Sequence, residues 1–303
     1  MKRIKSIVTG GAGFIGSHIV DRLVNMGQEV IVIDDESSIV NDKFYHNENA
    51  KYYKFDISDY DNVRPLFDGV DYVFHLAAKS RIQPAIQNPL ACVKTNALGT
   101  SIILECSREA GVKKVIYSST SSAYGKSTEM PLKESQPDDC LNPYSASKVT
   151  GEKMCKIYTE LYGLNTIIFR YFNIYGDREP LSGPYAPVVG LFLRQAAAQE
   201  PLTIVGNGSQ RRDFTHVNDV VDANILAMET EHSLYGHIFN VGAGKNYSVL
   251  ELAKMIKDDV TYIDPRPGEA QETLADITKI KNTLGWSPKH SIKDYIKEKL
   301  RIQ

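Results

Sequence analysis

The sequence predicts an α/β fold, a doubly wound parallel sheet with a smaller C-terminal α/β lobe, and three observations carry that prediction. Short β-branched runs alternate with longer helical patterns as far as Arg170. A glycine-rich segment joins the first run to the first helical pattern. Beyond Arg170 the alternation breaks, and residues 173–213 are punctuated by Gly176, Pro180, Gly183, Pro184, Pro187, Pro201, Gly206 and Gly208.

The elements follow in order. Ile4 to Thr9 reads as the first strand, and a helix opens near Gly13. Further strands are expected at Glu29 to Ile33, Tyr52 to Phe55, Tyr72 to His75, Lys114 to Ser118 and Thr166 to Arg170. Such sheets bind ligands beyond the carboxyl ends of their strands, so the residues just after each run carry most of the functional weight. The larger unit is expected to comprise residues 1–172 with about 214–241, and the smaller lobe residues 173–213 with 242–303.

Composition excludes several classes. The 303 residues are 42% apolar, enough to bury a sizeable core. A net charge of -2 offers no global attraction to nucleic acid or to an anionic membrane. The N-terminus has basic residues but only a short apolar run after them, so a cytoplasmic protein is expected, with no membrane partner. Cys92, Cys106, Cys140 and Cys155 are scattered without CxxC or nearby His, which points to reduced thiols and no metal site.

The segment Thr9-Gly10-Gly11-Ala12-Gly13-Phe14-Ile15-Gly16 sits between strand and helix. Glycines there permit a tight turn and let backbone approach a pyrophosphate, which then meets the free N–H groups of Phe14, Ile15 and their neighbours. Asp34 ends the second strand 18 residues after Gly16, where a carboxylate bonds a ribose diol and repels a 2′-phosphate. This is a Rossmann-type signature and selects NAD over NADP. Asp56 and Ile57, after the third run, are placed for the adenine, and the small residues of Leu76-Ala77-Ala78 let a cofactor lie close.

Tyr144 and Lys148 lie four apart behind Asn142-Pro143, a helix start, so both project from one face. A phenol, with a reference pKa of about 10, becomes a usable base when a neighbouring cation favours phenolate. The run SSTSSAYG, residues 118–125, supplies hydroxyls to relay or orient the proton.

Taken in order, TGGAGFIGSH, HLAA, SSTSSAYG, PYSASK, RYFNIYG, GSQRRDFTHVNDV and RPGE resemble the extended short-chain dehydrogenase/reductases, specifically the nucleotide-sugar epimerases of the UDP-glucose 4-epimerase type. The resemblance runs from Ile4 to about Pro288. It implies an NAD-dependent isomerase in which C4 of the sugar is oxidised and re-reduced on its other face. It assigns Tyr144 as the base, Thr120 as the assisting hydroxyl and Lys148 to the nicotinamide ribose and the tuning of the phenol. Asn96, Ser118 and Tyr171 match cofactor-side positions.

Related dehydratases and decarboxylases carry Thr-Asp-Glu or Thr-Ser-Glu where this chain has Thr120-Ser121-Ser122. Elimination needs an acid and a base that serines cannot readily supply, which favours epimerisation over a dehydratase or 4-reductase outcome. A non-catalytic NAD-binding protein is disfavoured because Tyr144 and Lys148 are both present.

On the substrate side the resemblance implies a UDP-sugar. Asn173, Pro187 and Val188 match sugar and nucleotide contacts, Arg212 and Arg266 a diphosphate clamp, and Glu269 a ribose contact. Thr273 stands where epimerases restricted to plain hexoses carry a bulky Tyr, so room for a 2-acetamido group is expected. Lys79-Ser80-Arg81-Ile82-Gln83 departs from the family in its basic pair, whose added charge is expected near the phosphate or sugar C6. Helical stretches around 89–110 and 144–161 resemble those that pair subunits into a homodimer.

Overall fold

The computed structural model describes residues 3–38, 41–181, 183 and 185–302. Its centre is a parallel sheet in the order β11-β6-β5-β4-β1-β2-β3. The strands are β1 Lys5–Thr9, β2 Glu29–Ile33, β3 Lys51–Tyr53, β4 Tyr72–His75, β5 Lys114–Thr120, β6 Thr166–Tyr171 and β11 His237–Val241. Both faces are covered, which is why the strands read as nearly continuous apolar runs.

Alternate residues of each strand feed opposite faces. Val8, Phe74, Ile116 and Ile167 pack on one side against Ile19, Val20 and Leu23 of α1, Phe14–Asn25, and Val220, Val221 and Ile225 of α8, Val217–Glu229. Ile7, Val73, Val115 and Ile168 pack on the other against Ile103 and Leu104 of α5, Thr100–Glu109, and Cys155 and Tyr158 of α6, Pro143–Tyr162. Each such buried aliphatic side chain contributes about 1.5–3 kcal/mol. Short helices α2 Tyr60–Val63, α3 Ile82–Gln87 and α4 Pro89–Val93 complete this side. Between α4 and α5 the helix widens into a π-turn over Lys94–Gly99.

Two strand ends differ from expectation by two residues, the others by one at most. The third run stops at Tyr53 rather than Phe55, because Asp34 N–H and Phe55 N–H both converge on the Tyr53 carbonyl and turn the chain. The fifth continues past Ser118 to Thr120, pairing Ser118, Ser119 and Thr120 with Phe169, Arg170 and Tyr171. Hydroxyl residues persist in a buried strand there because their polar groups are bonded: Ser118 donates to the Tyr171 hydroxyl at 3.0 Å and Ser119 to Glu152.

The remaining elements form a smaller body. Its strand pairs are β7 Ile174–Tyr175 with β10 Thr215–His216, β8 Leu202–Val205 with β13 Val260–Ile263, and β9 Arg211–Asp213 with β12 Asn246–Ser248. Its core joins Phe192 of α7, Val188–Ala197, Leu252 of α9, Val249–Lys254, and Ile292 and Ile296 of α11, Ile292–Ile302. Helix α10, Thr278–Leu284, returns Ile280 to the large sheet. No described helix is long and apolar enough to cross a membrane.

Candidate active site

A continuous cavity of about 760 Å³ opens over the carboxyl ends of β1, β2, β4, β5 and β6 and runs beneath the smaller body. Gly10, Gly13, Phe14, Ile15, Gly16, Asp34, Asp56, Ile57, Leu76, Ala77 and Ala78 line one end. Thr120, Tyr144, Asn173, Pro187, Val188, Arg212, Arg266, Glu269 and Thr273 line the other. Ser118, Lys148 and Tyr171 also reach the cavity wall.

The glycine loop tolerates no side chains at its tightest points. Gly10 takes φ +71°, and a Cβ there would lie 2.8 Å from the Ala77 nitrogen. A Cβ on Gly16 would overlap the Gly10 carbonyl oxygen. Gly13 caps α1 with no side chain over the helix start, so the first N–H groups stay open to an anion. Asp34 accepts from Ala12 N–H at 3.0 Å and Glu36 N–H at 2.9 Å, and burial raises its pKa against those two bonds.

Helix α6 begins as expected. Asn142 and Ser145 form a capping box and Pro143 takes the first turn, which aims Tyr144 and Lys148 into the cavity. Burial raises the Tyr144 pKa, while the Thr120 hydroxyl and the charge of Arg81 pull it back. The Lys148 ammonium lies 4.2 Å from the Tyr117 ring centre, so its nearest aromatic partner is Tyr117. Burial pulls Lys148 down to about 8, and its Nζ makes no hydrogen bond or ion pair with a described residue.

An open helix start, a glycine cradle and a buried unpaired ammonium together fit a dinucleotide. The pyrophosphate would meet the Gly13 turn, the adenosine ribose Asp34, and the second ribose Lys148.

Two predicted site residues, Asn96 and Lys79, are placed differently from expectation, and a third, Glu269, lines the cavity while paired to an arginine. Asn96 is fully buried and does not line the cavity: its side chain takes a hydrogen bond from Lys79 N–H at 2.8 Å and donates to Ser147 Oγ at 2.9 Å. It therefore ties the loop after β4 to α6 and reaches the cofactor end only through those elements. Lys79 donates to Ser37 Oγ at 2.6 Å, with Asp35 4.0 Å away, because the acidic loop after β2 draws its amine away from the sugar end. Glu269 pairs with Arg212 at 3.5 Å, while Arg212 also donates to the Arg211 carbonyl at 2.9 Å.

At the sugar end Asn173 adopts φ 35°, a left-handed backbone that Asn accepts readily, and donates to the Asp213 carbonyl at 3.1 Å. Thr273 is 5% exposed, with its Oγ1 3.3 Å from Asn173 Nδ2 and from Asp213 N. Sequence reasoning missed Glu152 and Arg170, which hold the turn from behind. Arg170 is 2% exposed and donates to Glu152 Oε1 at 2.9 Å, Glu152 Oε2 at 2.6 Å and Asp138 at 2.6 Å. It also missed Glu179, which lines the wall and takes a hydrogen bond from Gly176 N–H at 3.4 Å.

A family profile described as GDP-mannose 4,6 dehydratase matches residues 7–299. A UDP-glucose 4-epimerase of Mycolicibacterium smegmatis is 34% identical over 97% of this chain and 96% of its own length. Among solved structures, a UDP-glucose 4-epimerase of Thermotoga maritima with UDP-glucose superposes with TM-score 0.92 at 36% identity, covering 99% of both chains. A UDP-N-acetylglucosamine 4-epimerase of Methanobrevibacter ruminantium in complex with UDP-N-acetylmuramic acid gives 0.90 at 34% identity, covering 99% of this chain and 98% of its own. A profile spanning nearly the whole chain, matched by relatives of like length and like fold, leaves one conclusion: the chain belongs to the NAD-dependent nucleotide-sugar epimerase and dehydratase family of the extended short-chain dehydrogenase/reductases.

Proposed function

We propose that this protein is an NAD-dependent 4-epimerase of UDP-sugars that interconverts UDP-N-acetylglucosamine and UDP-N-acetylgalactosamine and also accepts UDP-glucose and UDP-galactose. The observation that carries the reading is the turn Thr120-Ser121-Ser122, which brings hydroxyls and no carboxylate to the wall beside Tyr144. Glu179 is the exception on that wall, and it is engaged with the backbone at Gly176 and Gly190, at the first turn of α7.

NAD supplies the hydride acceptor and donor for C4 when bound. Tyr144 takes the proton of the C4 hydroxyl at its phenolic oxygen, and returns it when the keto sugar has turned over. Thr120 sits beside that oxygen and orients the exchange. Arg212 and Arg266 bind the diphosphate and leave the sugar free to rotate about its link. Thr273 is small enough beside Asn173 to leave space at the sugar C2, which supports the N-acetylated substrates. A second copy of the chain is expected on α4 to α6, where Leu90, Leu98 and Leu161 stand exposed.

A 4,6-dehydratase is the second reading, and Glu179 favours it: burial pushes its carboxyl up to about 8, so it carries a proton at neutral pH. NMR of the purified protein with UDP-N-acetylglucosamine or UDP-glucose, without added NAD, separates the two. The epimer mixture, reached from either epimer, is the expected result. Accumulation of a 4-keto-6-deoxy or olefinic sugar would give the protein to the second reading.

A further inference from the structure

The basic pair after β4 separates in space. Lys79 turns to Ser37, whereas Arg81 turns inward, lining the cavity as the residue just before α3. Helix α3 packs on α6, the helix that carries Tyr144, and Arg81 and the phenol line the same cavity. The Nε of Arg81 is closed off from solvent without a hydrogen-bond partner, and its guanidinium makes no ion pair with a described residue.

A guanidinium stays charged in proteins, and a donor closed off from solvent without a partner is costly. Its retention points to a use for the field it creates. The groups around Tyr144 are few: Thr120 from β5, Cys92 from α4, Lys148 one turn along α6, and Arg81. Lys148 lies over the face of Tyr117, and Glu179, in the segment between β7 and α7, faces Arg81 without coming into ion-pair contact. Cys92 is buried and hydrogen-bonds within the Ser147 and Asn96 cluster.

We propose that Arg81 is a positioning residue of the reaction, a second cation of the site whose guanidinium favours the ionised, proton-accepting form of the Tyr144 phenol. This rests on the reading of Tyr144 as the base. The role is electrostatic: an opposite charge nearby favours the charged form of an acid, and a low-dielectric cavity extends its reach. In the substrate-free protein the phenol releases its proton to solvent, and the phenolate then accepts the sugar hydroxyl proton.

The test is a pH titration of the tyrosinate absorbance of the substrate-free holoenzyme, with Tyr144→Phe as the blank that isolates one phenol. In Arg81→Gln the Tyr144 signal is expected at higher pH than in the wild type, and Arg81→Lys is expected to restore part of the difference. The acidic limb of kcat moves the same way, while KM changes little. The loss in kcat at neutral pH stays below the ~100-fold or more that removal of a general base causes.

An unchanged tyrosinate midpoint in Arg81→Gln would overturn the proposal, and so would an effect confined to KM, which would make Arg81 a ligand contact instead. If the Gln variant does not fold, Arg81→Met and Arg81→Lys decide by the same comparison of a neutral with a charged side chain. Full turnover by Tyr144→Phe would refute the base reading by itself, since the titration reports the effect of Arg81 on the phenol independently of turnover.

Discussion

The ammonium of Lys148 rests 4.2 Å above the centre of the Tyr117 ring, and the Tyr117 hydroxyl donates to the Lys148 carbonyl at 3.1 Å. One tyrosine thus holds both ends of the lysine. The fit depends on Gly151, since a Cβ there would collide with that hydroxyl.

Tyr117→Phe keeps the ring and gives up the hydroxyl, whereas Tyr117→Leu gives up both. A desolvated cation over an aromatic face is worth about 2 kcal/mol. The Leu variant is therefore expected to retain less NAD after gel filtration, and the Phe variant to retain nearly the wild-type amount. Equal loss in the two would show that the ring face does not hold the lysine.

Glu179 gives stability a pH dependence. Its carboxyl is raised from 4.5 to about 8 in the folded chain, so between those values the folded state holds a proton that the unfolded state has released. Its contribution is complete below 4.5 and is lost as the pH rises through about 8. Glu179→Gln carries no such proton, so its Tm relative to the wild type is expected to improve steadily from acidic conditions to about pH 8. A constant difference across that interval would remove Glu179 from the pH response.

The Arg170 guanidinium is held by Glu152 and Asp138 behind the hydroxyl turn. Glu152→Ala strands a buried charge and is expected to cost roughly 3–5 kcal/mol in urea denaturation. Glu152→Gln keeps a hydrogen-bond acceptor and costs less. A loss below about 1 kcal/mol for the Ala variant, the range of an exposed pair, would mean that Asp138 alone satisfies the arginine.

The proposed dimer is tested at Leu161, which is 69% exposed on α6, the helix that also packs against α4 with its 82% exposed Leu90. Leu161→Glu is expected to sediment as a monomer while the wild type sediments as a dimer. A monomeric wild type would leave this apolar face without its proposed occupant.

Local chemistry was legible in the sequence, and long-range engagement was not. Gly10, Gly16 and Asp34 are readable because turn geometry and a strand-end acid lie within one βαβ unit. Ser119 and Thr120 were read beyond the strand because a run of hydroxyl residues looks like loop; the bonds of this stretch to Glu152 and Tyr171, far along the chain, keep it in the sheet. Lys79 and Arg81 are two residues apart and identical in charge, yet one meets the acidic loop after β2 and the other the wall beside Tyr144. Spacing contains no information about that divergence. Family position placed Asn96 on the cofactor side, but the π-turn that buries it against Lys79 and Ser147 has no compositional sign.

Strand β11 comes from His237–Val241, whereas its partner β6 ends at Tyr171. During synthesis the ribosome must therefore deliver the whole intervening segment before β6 gains its neighbour. Until then the nascent sheet shows a bare edge, the kind of surface that recruits foreign strands. Slow elongation or a stop between those two points would expose the chain to aggregation at its most vulnerable moment.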